Sequence, residues 1–427
     1  MNTYVRLRPH FPDEPIVQAL TDTDFYKFTM GQFIFDRYRH TKVTFGFKNR
    51  TTKVPLAQII PEAQLREELD HVRRLRFTNS EIHYLRGTDE YNGGKRTFMF
   101  SEGYLQFLRE YQAPAYNLEY RRDEIRLNFD GEWVSSSPWE IYGLKIINEL
   151  YYRALMKKLS TFERDVILAE GKKRLAEKIK ILKAHLQIIF SEFGTRRTFG
   201  HDWQDYVVAA LAEELLPSQF RGTSNVFLAQ KYGLLPMGTN AHELQMVIAG
   251  LYSHSDNMLR NSQRVMLNEW EEQFGEPLSI FLPDTYSTKS FLKLVDPEKL
   301  RTWKGFRQDS GDPFAEGELI IRIYKKFGID PRTKMIIFSD GLDLNLMIAL
   351  EKHFRGRIMV SFGWGTNLTN DVGFGTLSLV IKAIEANGVG LVKLGNNPAK
   401  GMGSDKNIAR YIQVFGVGRQ KRIECKV

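Results

Sequence analysis

The chain has 427 residues, 42% of them hydrophobic, and a formal charge of +9 from 60 basic and 51 acidic side chains. No apolar run approaches the ~18 residues of a membrane span, and the first twenty residues lack the continuous apolar core of a secretion leader. A single cysteine, Cys425, leaves no internal disulfide to form and points to the reducing cytoplasm. At about 150 residues per domain the length allows two or three domains, or fewer if one of them is an α/β barrel.

In the first third, "TKVTFGFKNR" (41–50) alternates as a strand and "PEAQLREELDHVRRLRF" (61–77) has the spacing of an amphipathic helix. "IRLNFDGEWVSS" (125–136) predicts a hairpin turning at Asp130-Gly131. From "WEIYGLKIINELYYRALMKKL" (139–159) to residue 190 the pattern is long helix. Its basic run, "EGKKRLAEKIKILKAHL" (170–186), alternates with apolar residues at helical spacing, so it reads as a solvated helix face rather than a nucleic-acid stripe. "RGTSNVFLAQKYG" (221–233) predicts a helix capped by Thr223 or Ser224 and closed by Gly233.

After residue 220 short apolar runs alternate with helical stretches, the signature of a parallel sheet or barrel. Asp284, Asp309, Asp340 and Gly363 close successive runs at intervals of 25, 31 and 23 residues, which suits βα units, and "LVIKAIEANGVGLVKLGNNP" (379–398) continues the series. In a barrel, residues just past the strand C-termini converge on one face. The change of pattern near residue 140 divides the chain into an N-terminal α/β domain (1–140) and an α/β barrel (141–427).

Several residues at the expected barrel mouth carry chemistry. In "GTNAHE" (238–243) Asn240 reads as an N-cap with Glu243 three residues on, which puts His242 in the first turn of a helix, where the dipole disfavours a protonated ring and favours an attached anion. "SFGWGTNLTND" (361–371) supplies Gly363, Gly365 and Thr366 in a loop that suits a phosphate; no G-K-[ST] follows, so it is not a Walker loop. In "FRQDSGDP" (306–313) Asp312 and Pro313 read as N-cap and first helical residue, whereas Arg307 and Asp309 have no local structural duty and suit a carboxylate and a ribose or developing cation. Asp340 reads equally as a helix-start turn, and Arg196 and Arg197 as surface charge. Composition and spacing alone support a phosphate-handling α/β barrel.

Taken in order, "LTDTDFYKFTM" (20–30), "FGTRRTF" (193–199), "GTSNVFLAQKYGLLPMGTNAHE" (222–243), "FRQDSGDP", "FSDGLD" (338–343), "SFGWGTNLTND" and "VKLGNNPAKGMG" (392–403) resemble the bacterial nicotinate phosphoribosyltransferases of the type II phosphoribosyltransferase superfamily. The resemblance spans nearly the whole chain. It implies an irregular α/β barrel with an N-terminal α/β domain, assembled as a homodimer. It also implies an enzyme of NAD salvage that joins nicotinate to 5-phosphoribosyl diphosphate with Mg²⁺, held mainly by the oxygens of the substrate diphosphate with few protein ligands, and couples this to ATP hydrolysis through a phosphohistidine at His242. On the same basis Tyr26, from a neighbouring subunit, stacks on the pyridine ring opposite Phe193 and Arg196. Arg307 and Asp309 contact base and ribose, Asp340 the ribose, Gly363, Gly365 and Thr366 the 5-phosphate, and Lys393 and Lys400 stand near the phosphates. Thr223 and Ser224, with Arg221 nearby and no acid in that segment, favour nicotinate over nicotinamide. The alternatives are a nicotinamide- or quinolinate-type phosphoribosyltransferase, the second disfavoured by "GTNAHE", and a basic nucleic-acid-binding protein, which leaves the strand-end carboxylates unexplained.

Overall fold

The computed structural model describes residues 14–92 and 95–418, so Cys425 lies outside the described residues. Fourteen strands are present among them. A first sheet is antiparallel throughout, in the order β14-β13-β1-β5-β4, and is built from β1 (Lys42–Asn49), β4 (Tyr116–Arg121), β5 (Glu124–Glu132), β13 (Leu379–Ala386) and β14 (Val389–Gly390). A separate pair, β2 (Asp89–Asn92) and β3 (Lys95–Phe98), forms a short ribbon. The second large sheet is parallel, in the order β8-β7-β6-β12-β11-β10-β9. Its strands are β6 (Phe190–Glu192), β7 (Phe220–Thr223), β8 (Leu235–Pro236), β9 (Ile280–Phe281), β10 (Gly305–Gln308), β11 (Met335–Phe338) and β12 (Met359–Trp364). This curled half-barrel is the α/β barrel expected from the strand spacing, left open between β8 and β9.

Local chemistry explains most elements. In β5, Ile125, Leu127 and Phe129 alternate with exposed neighbours, so one face packs inward, and the Phe129 ring stacks on Trp139 at 4.6 Å between centroids. Asp312 caps the helix Pro313–Lys326 by accepting from the Ala315 N–H at 2.8 Å, with Pro313 at the first position, as the sequence predicts. The helix after β7 is capped not by Thr223 or Ser224 but by Asn225, whose side chain accepts from Leu228 N–H; Gly233 ends it in the left-handed conformation.

Three further expectations are corrected. The turn between β4 and β5 lies at Arg122-Asp123, and Asp130-Gly131 sits within β5, because Asp130 pairs with Thr44 in the sheet ladder. The long helical stretch is two helices, Trp139–Lys157 and Thr161–Ala184, the second restarted by a Ser160/Glu163 capping box. Finally, 379–390 is not another parallel strand. An Asn387-Gly388 turn with positive φ at both residues folds it into a hairpin, and β13 pairs with β1 from Val43↔Ala386 to Asn49↔Leu379. The sheet that begins before residue 50 is thus completed by chain beyond residue 370.

The helix Trp139–Lys157 is buried almost all round and runs against β13. Gly143 permits that approach: a Cβ there would lie 2.6 Å from Ile381 Cδ1. Its buried Lys145 pairs with Asp22, whose other oxygen accepts from Asn225 Nδ2 at 2.7 Å. Phe25 N–H donates to Ser224 O and Val226 N–H to Thr23 O, so residues 21–25 are docked on the end of β7. The N-terminal segment therefore reaches the mouth of the half-barrel.

Candidate active site

The C-terminal ends of the parallel strands face the antiparallel sheet across one cavity. Tyr26, Phe193, Arg196, Ser224, His242, Arg307, Asp309, Asp340, Gly363, Gly365, Thr366, Lys393 and Lys400 all line it. Thr223 does not: it is fully buried, and its hydroxyl donates to Glu192 Oε2 at 2.5 Å. It faces into the scaffold because it precedes Ser224 by one residue in an extended segment, where successive side chains alternate in direction.

His242 opens the helix His242–Leu251, which lies between the half-barrel and β13. The cap is Ala241, with no side-chain hydrogen bond, so His242 occupies the first helical position and the Asn240/Glu243 capping pair is not formed. Glu243 instead anchors the helix, accepting from Trp133 Nε1 at 2.7 Å, Ser137 Oγ at 2.6 Å and Lys27 Nζ at 2.6 Å. His242 Nδ1 lies 2.9 Å from Thr285 Oγ1, and Nε2 lies 2.9 Å from Asp309 Oδ2 and 3.6 Å from Asp284 Oδ1. Burial and the Lys393 ammonium push the ring down to about 4, so it is neutral near pH 7.

Asp309 follows β10. Burial opposes its charge, but Arg307, His242 and Lys400 hold its carboxyl well below the usual range. Ser339 Oγ donates to its Oδ1 at 3.0 Å, and Arg307 Nη2 stands at 3.5 Å. Asp340, after β11, pairs with Lys400 at 2.6 Å, and burial nonetheless raises its carboxyl above the ordinary value. Two neighbouring carboxylates are thereby pushed in opposite directions.

The aromatic end of the cavity holds Tyr26 and Phe193. The Tyr26 hydroxyl donates to Glu140 Oε2 at 3.3 Å and accepts from Arg196 Nη1 at 3.4 Å, while Arg196 also meets Glu140 Oε1 at 2.9 Å. The Phe193 ring lies on the backbone of Gly363, where an added Cβ would stand 2.4 Å from it. Tyr26 and Phe193 both line this chain's cavity, which Tyr26 reaches through the docking of residues 21–25 on β7. The glycine-bearing loop after β12 is pinned from behind, where Lys178 bridges Asn367 O at 2.5 Å and Asp371 at 3.0 Å and Arg174 meets Asp371 at 2.8 Å.

The structure adds residues that the motifs did not single out. Arg50, from the end of β1, and Lys382, from β13, bring two basic side chains from the antiparallel sheet. Lys382 is held well below its usual range by burial and by the neighbouring Lys393 and Arg50 charges. Arg197, read above as surface charge, lines the cavity with its Nε buried, and burial beside Arg196 lowers it to about 10. Arg221 is exposed and lies outside the lining. Asp24 is buried in the wall, accepting from Ser224 Oγ at 2.7 Å, so the site does contain an acid beside Ser224. Asp24 lies in "TDTDFYKF", two residues from Tyr26; that spacing was its only sequence signal.

Cations at both rims, carboxylates at strand ends and an aromatic slot make a cavity suited to a flat base and an anionic sugar phosphate. A model of the nicotinate phosphoribosyltransferase (NAPRTase) family matches residues 188–419, and one of the family's N-terminal domain matches residues 21–148. Among solved structures, the chain is similar to nicotinate phosphoribosyltransferase from Porphyromonas gingivalis, at 28% identity and TM-score 0.82 over 94% of this chain and 100% of that one. It is also similar to the enzyme from Vibrio cholerae (29%, TM-score 0.83, 97% of each chain). A putative nicotinate phosphoribosyltransferase from Saccharomyces cerevisiae matches at 27% and TM-score 0.83, over 95% of this chain and 100% of that one.

Proposed function

The chain belongs to the nicotinate phosphoribosyltransferase family, and from that premise we propose that it joins nicotinate to 5-phosphoribosyl diphosphate, giving nicotinate mononucleotide and diphosphate, and that ATP drives the step through phosphorylation of His242. The observation that carries the reading is the meeting of the neutral His242 ring, the ionised Asp309 and the Tyr26/Phe193 slot in one cation-rimmed cavity. The pyridine nitrogen is already a nucleophile, so positioning outweighs base catalysis. Its lone pair attacks the anomeric carbon as the bond to diphosphate breaks with its electrons on the leaving oxygen, through an oxocarbenium-like transition state. Asp309, kept anionic by its neighbours, stabilises that positive charge, and Lys393, Lys400, Lys382 and Arg50 receive the phosphates.

Mg²⁺ suits this site. His242, Asp284 and Asp309 bring ligand atoms within 4.8 Å of one another, and Asp284 Oδ1 is buried with no hydrogen-bond partner. Two carboxylates completed by substrate phosphate oxygens match a hard cation, so Asp284 and Asp309 would hold it. It would neutralise charge on the departing diphosphate. No helix among the described residues is long and apolar enough to cross a membrane. NAD salvage in the reducing cytoplasm completes the reading. The homodimer that the resemblance implies is part of the same reading.

The test is formation of nicotinate mononucleotide with and without ATP, for the wild type and His242→Ala. ATP stimulation and ³²P transfer from γ-labelled ATP confined to the wild type support the reading; equal responses remove His242 from it, and no product from either protein removes the transferase activity. Asp24 beside Ser224 is the one observation that favours an amide-bearing base. If nicotinamide is the substrate, kcat/KM for it exceeds that for nicotinate and Asp24→Asn reverses the order.

A further inference from the structure

Arg196 and Arg197 are neighbours in the 3-10 turn Thr195–Arg197, where successive side chains diverge by about 120°. They therefore enter the cavity on different sides. Arg196 reaches Glu140 and the Tyr26 hydroxyl, with Asp24 close by. The acids that act on Arg197 across the cavity are Asp309 and Asp340, and Arg50 acts on it as a second cation besides Arg196. Neither of those acids pairs with it: Asp309 is engaged by Arg307, Ser339 and His242, and Asp340 by Lys400. Arg197 Nε is buried with no hydrogen-bond partner among the described residues. A guanidinium cannot shed its proton in a protein, so such a group is costly in a cavity wall until an anion reaches it.

The backbone under Arg197 is tied to the glycine-bearing loop. Phe193 N–H donates to Trp364 O at 2.9 Å, the Arg197 carbonyl accepts from Asn370 Nδ2 at 2.8 Å, and Phe199 N–H donates to Thr369 O at 2.9 Å. Because β6 and β12 are adjacent strands, the 195–197 turn and the loop of Gly363, Gly365 and Thr366 form one stretch of the cavity rim. We propose that Arg197 is a further substrate-binding residue, which grips the 5-phosphate of the sugar phosphate together with that loop; the identity of the sugar phosphate rests on the transferase reading above.

Strand order separates this phosphate from the diphosphate. Along the rim run Asp284 after β9, Asp309 after β10, Asp340 after β11, the glycine-bearing loop after β12 and Arg197 after β6. The diphosphate leaves C1 of the ribose, and the 5-phosphate hangs from C5 at the other end of the sugar. With Asp284 and Asp309 at the departing diphosphate and Asp309 and Asp340 beside the ribose, the next place along the rim belongs to C5. Strands lie ~4.8 Å apart, so β6 stands three steps, ~14 Å, round the rim from β10, which keeps Arg197 clear of the departing group. The base is served by the other arginine, since Arg196 flanks the Tyr26 end of the slot and Arg197 turns away from it.

Charge points the same way. Burial, then the Arg196 and Arg50 charges, lower Arg197 to about 10, and burial with Lys393 and Arg50 holds Lys382 well below its usual range. This part of the cavity gathers more positive charge than it has acids to match, and a phosphate dianion supplies the difference. The planar fork of an arginine also matches two phosphate oxygens at once, which a lysine cannot do.

Calorimetric titration of the full chain with ribose 5-phosphate, inorganic diphosphate and nicotinate as separate probes tests the assignment. Arg197→Met should weaken ribose 5-phosphate about tenfold or more, the loss of a charged hydrogen bond, and leave diphosphate and nicotinate within about twofold. Arg197→Lys, which keeps the charge and loses the fork, should recover part of the loss. In turnover, KM for 5-phosphoribosyl diphosphate should rise by a similar factor in Arg197→Met with KM for nicotinate unchanged. In the ¹⁵N-arginine-labelled wild type, the Arg197 Nε–H resonance, assigned by its loss in Arg197→Lys, should shift on adding ribose 5-phosphate, a readout that does not require Arg197→Met to fold. Ribose 5-phosphate that fails to bind the wild type, that binds it and Arg197→Met equally, or that leaves the Arg197 resonance unmoved overturns the proposal. So does a loss that falls on nicotinate or diphosphate instead. A wild type that forms nicotinate mononucleotide, with an unchanged KM in Arg197→Met, overturns this assignment alone. One that binds ribose 5-phosphate through Arg197 and never forms nicotinate mononucleotide supports it and overturns the transferase reading.

Discussion

Replacing Lys145 with Met tests how the N-terminal segment is held at the cavity. Lys145 and Asp22 are both fully buried, and Asp22 also accepts from Asn225 and lies 3.3 Å from His201 Nδ1. Burial opposes the Asp22 charge, yet Lys145 and His201 hold its carboxyl below the ordinary value of 3.8. Removing the ammonium leaves a buried carboxylate facing an apolar side chain, and breaking such a pair costs about 3–5 kcal/mol. With an unfolding entropy of ~2.1 cal/mol/K per residue, 427 residues unfolding together give ~0.9 kcal/mol/K, so the melting temperature should fall by about 3–6 °C. The double variant Asp22→Asn/Lys145→Met, which buries no charge, should recover most of that loss. Because the Asp22 carboxyl is depressed, the wild-type contribution is present above pH ~3.8 and is lost as pH falls further. Asp24 and Tyr26 ride on the same segment, so kcat/KM for nicotinate should fall in the single variant even below its melting temperature. Calorimetry and initial rates decide the matter. A Lys145→Met cost under about 1 kcal/mol, or a double variant no more stable than the single one, would refute the reasoning.

Four other outcomes follow from the site. His242, pushed down to about 4, should remain neutral as pH falls from 8 to 5.5, with a neutral fraction of ~0.97 against ~0.09 for an ordinary histidine; a loss of ³²P-labelling centred near pH 6.5 would contradict this. Gly363→Ala puts a Cβ 2.4 Å from the Phe193 ring and should raise KM for nicotinate about tenfold, in line with overpacking costs of about 1–3 kcal/mol. Thr223→Val removes a donor from Glu192, which burial pushes up to about 7; denaturant unfolding should show a loss of ~1–3 kcal/mol with KM unchanged. Since Tyr26 and Phe193 line one chain's cavity, specific activity should be independent of dilution through any dissociation seen by sedimentation.

The sequence alone determined what depends on short-range spacing. Asp309 and Asp340 each end an apolar run before a helix, and a parallel βα unit puts such residues on one rim whatever the rest of the chain does. The Asp312-Pro313 helix start and the Gly233 stop are likewise local, because caps are completed within three or four residues. Asn387-Gly388 also announced its hairpin, and taking that signal at face value would have removed 379–390 from the parallel series. The tertiary structure decided everything that depends on which surfaces meet. Arg50 and Lys382 reach the cavity only because β13 crosses back to pair with β1, and no spacing in the chain encodes that pairing. Arg197 is half-buried in the cavity wall rather than on the surface because the turn that carries it, residues 195–197, packs against the helix Trp139–Lys157. Glu243 leaves the capping pair for Lys27, Ser137 and Trp133, three partners more than a hundred residues away, whose combined hydrogen bonds outweigh one local cap. Thr285, forty-three residues on from His242, is brought within 2.9 Å of its Nδ1 only by the folded chain.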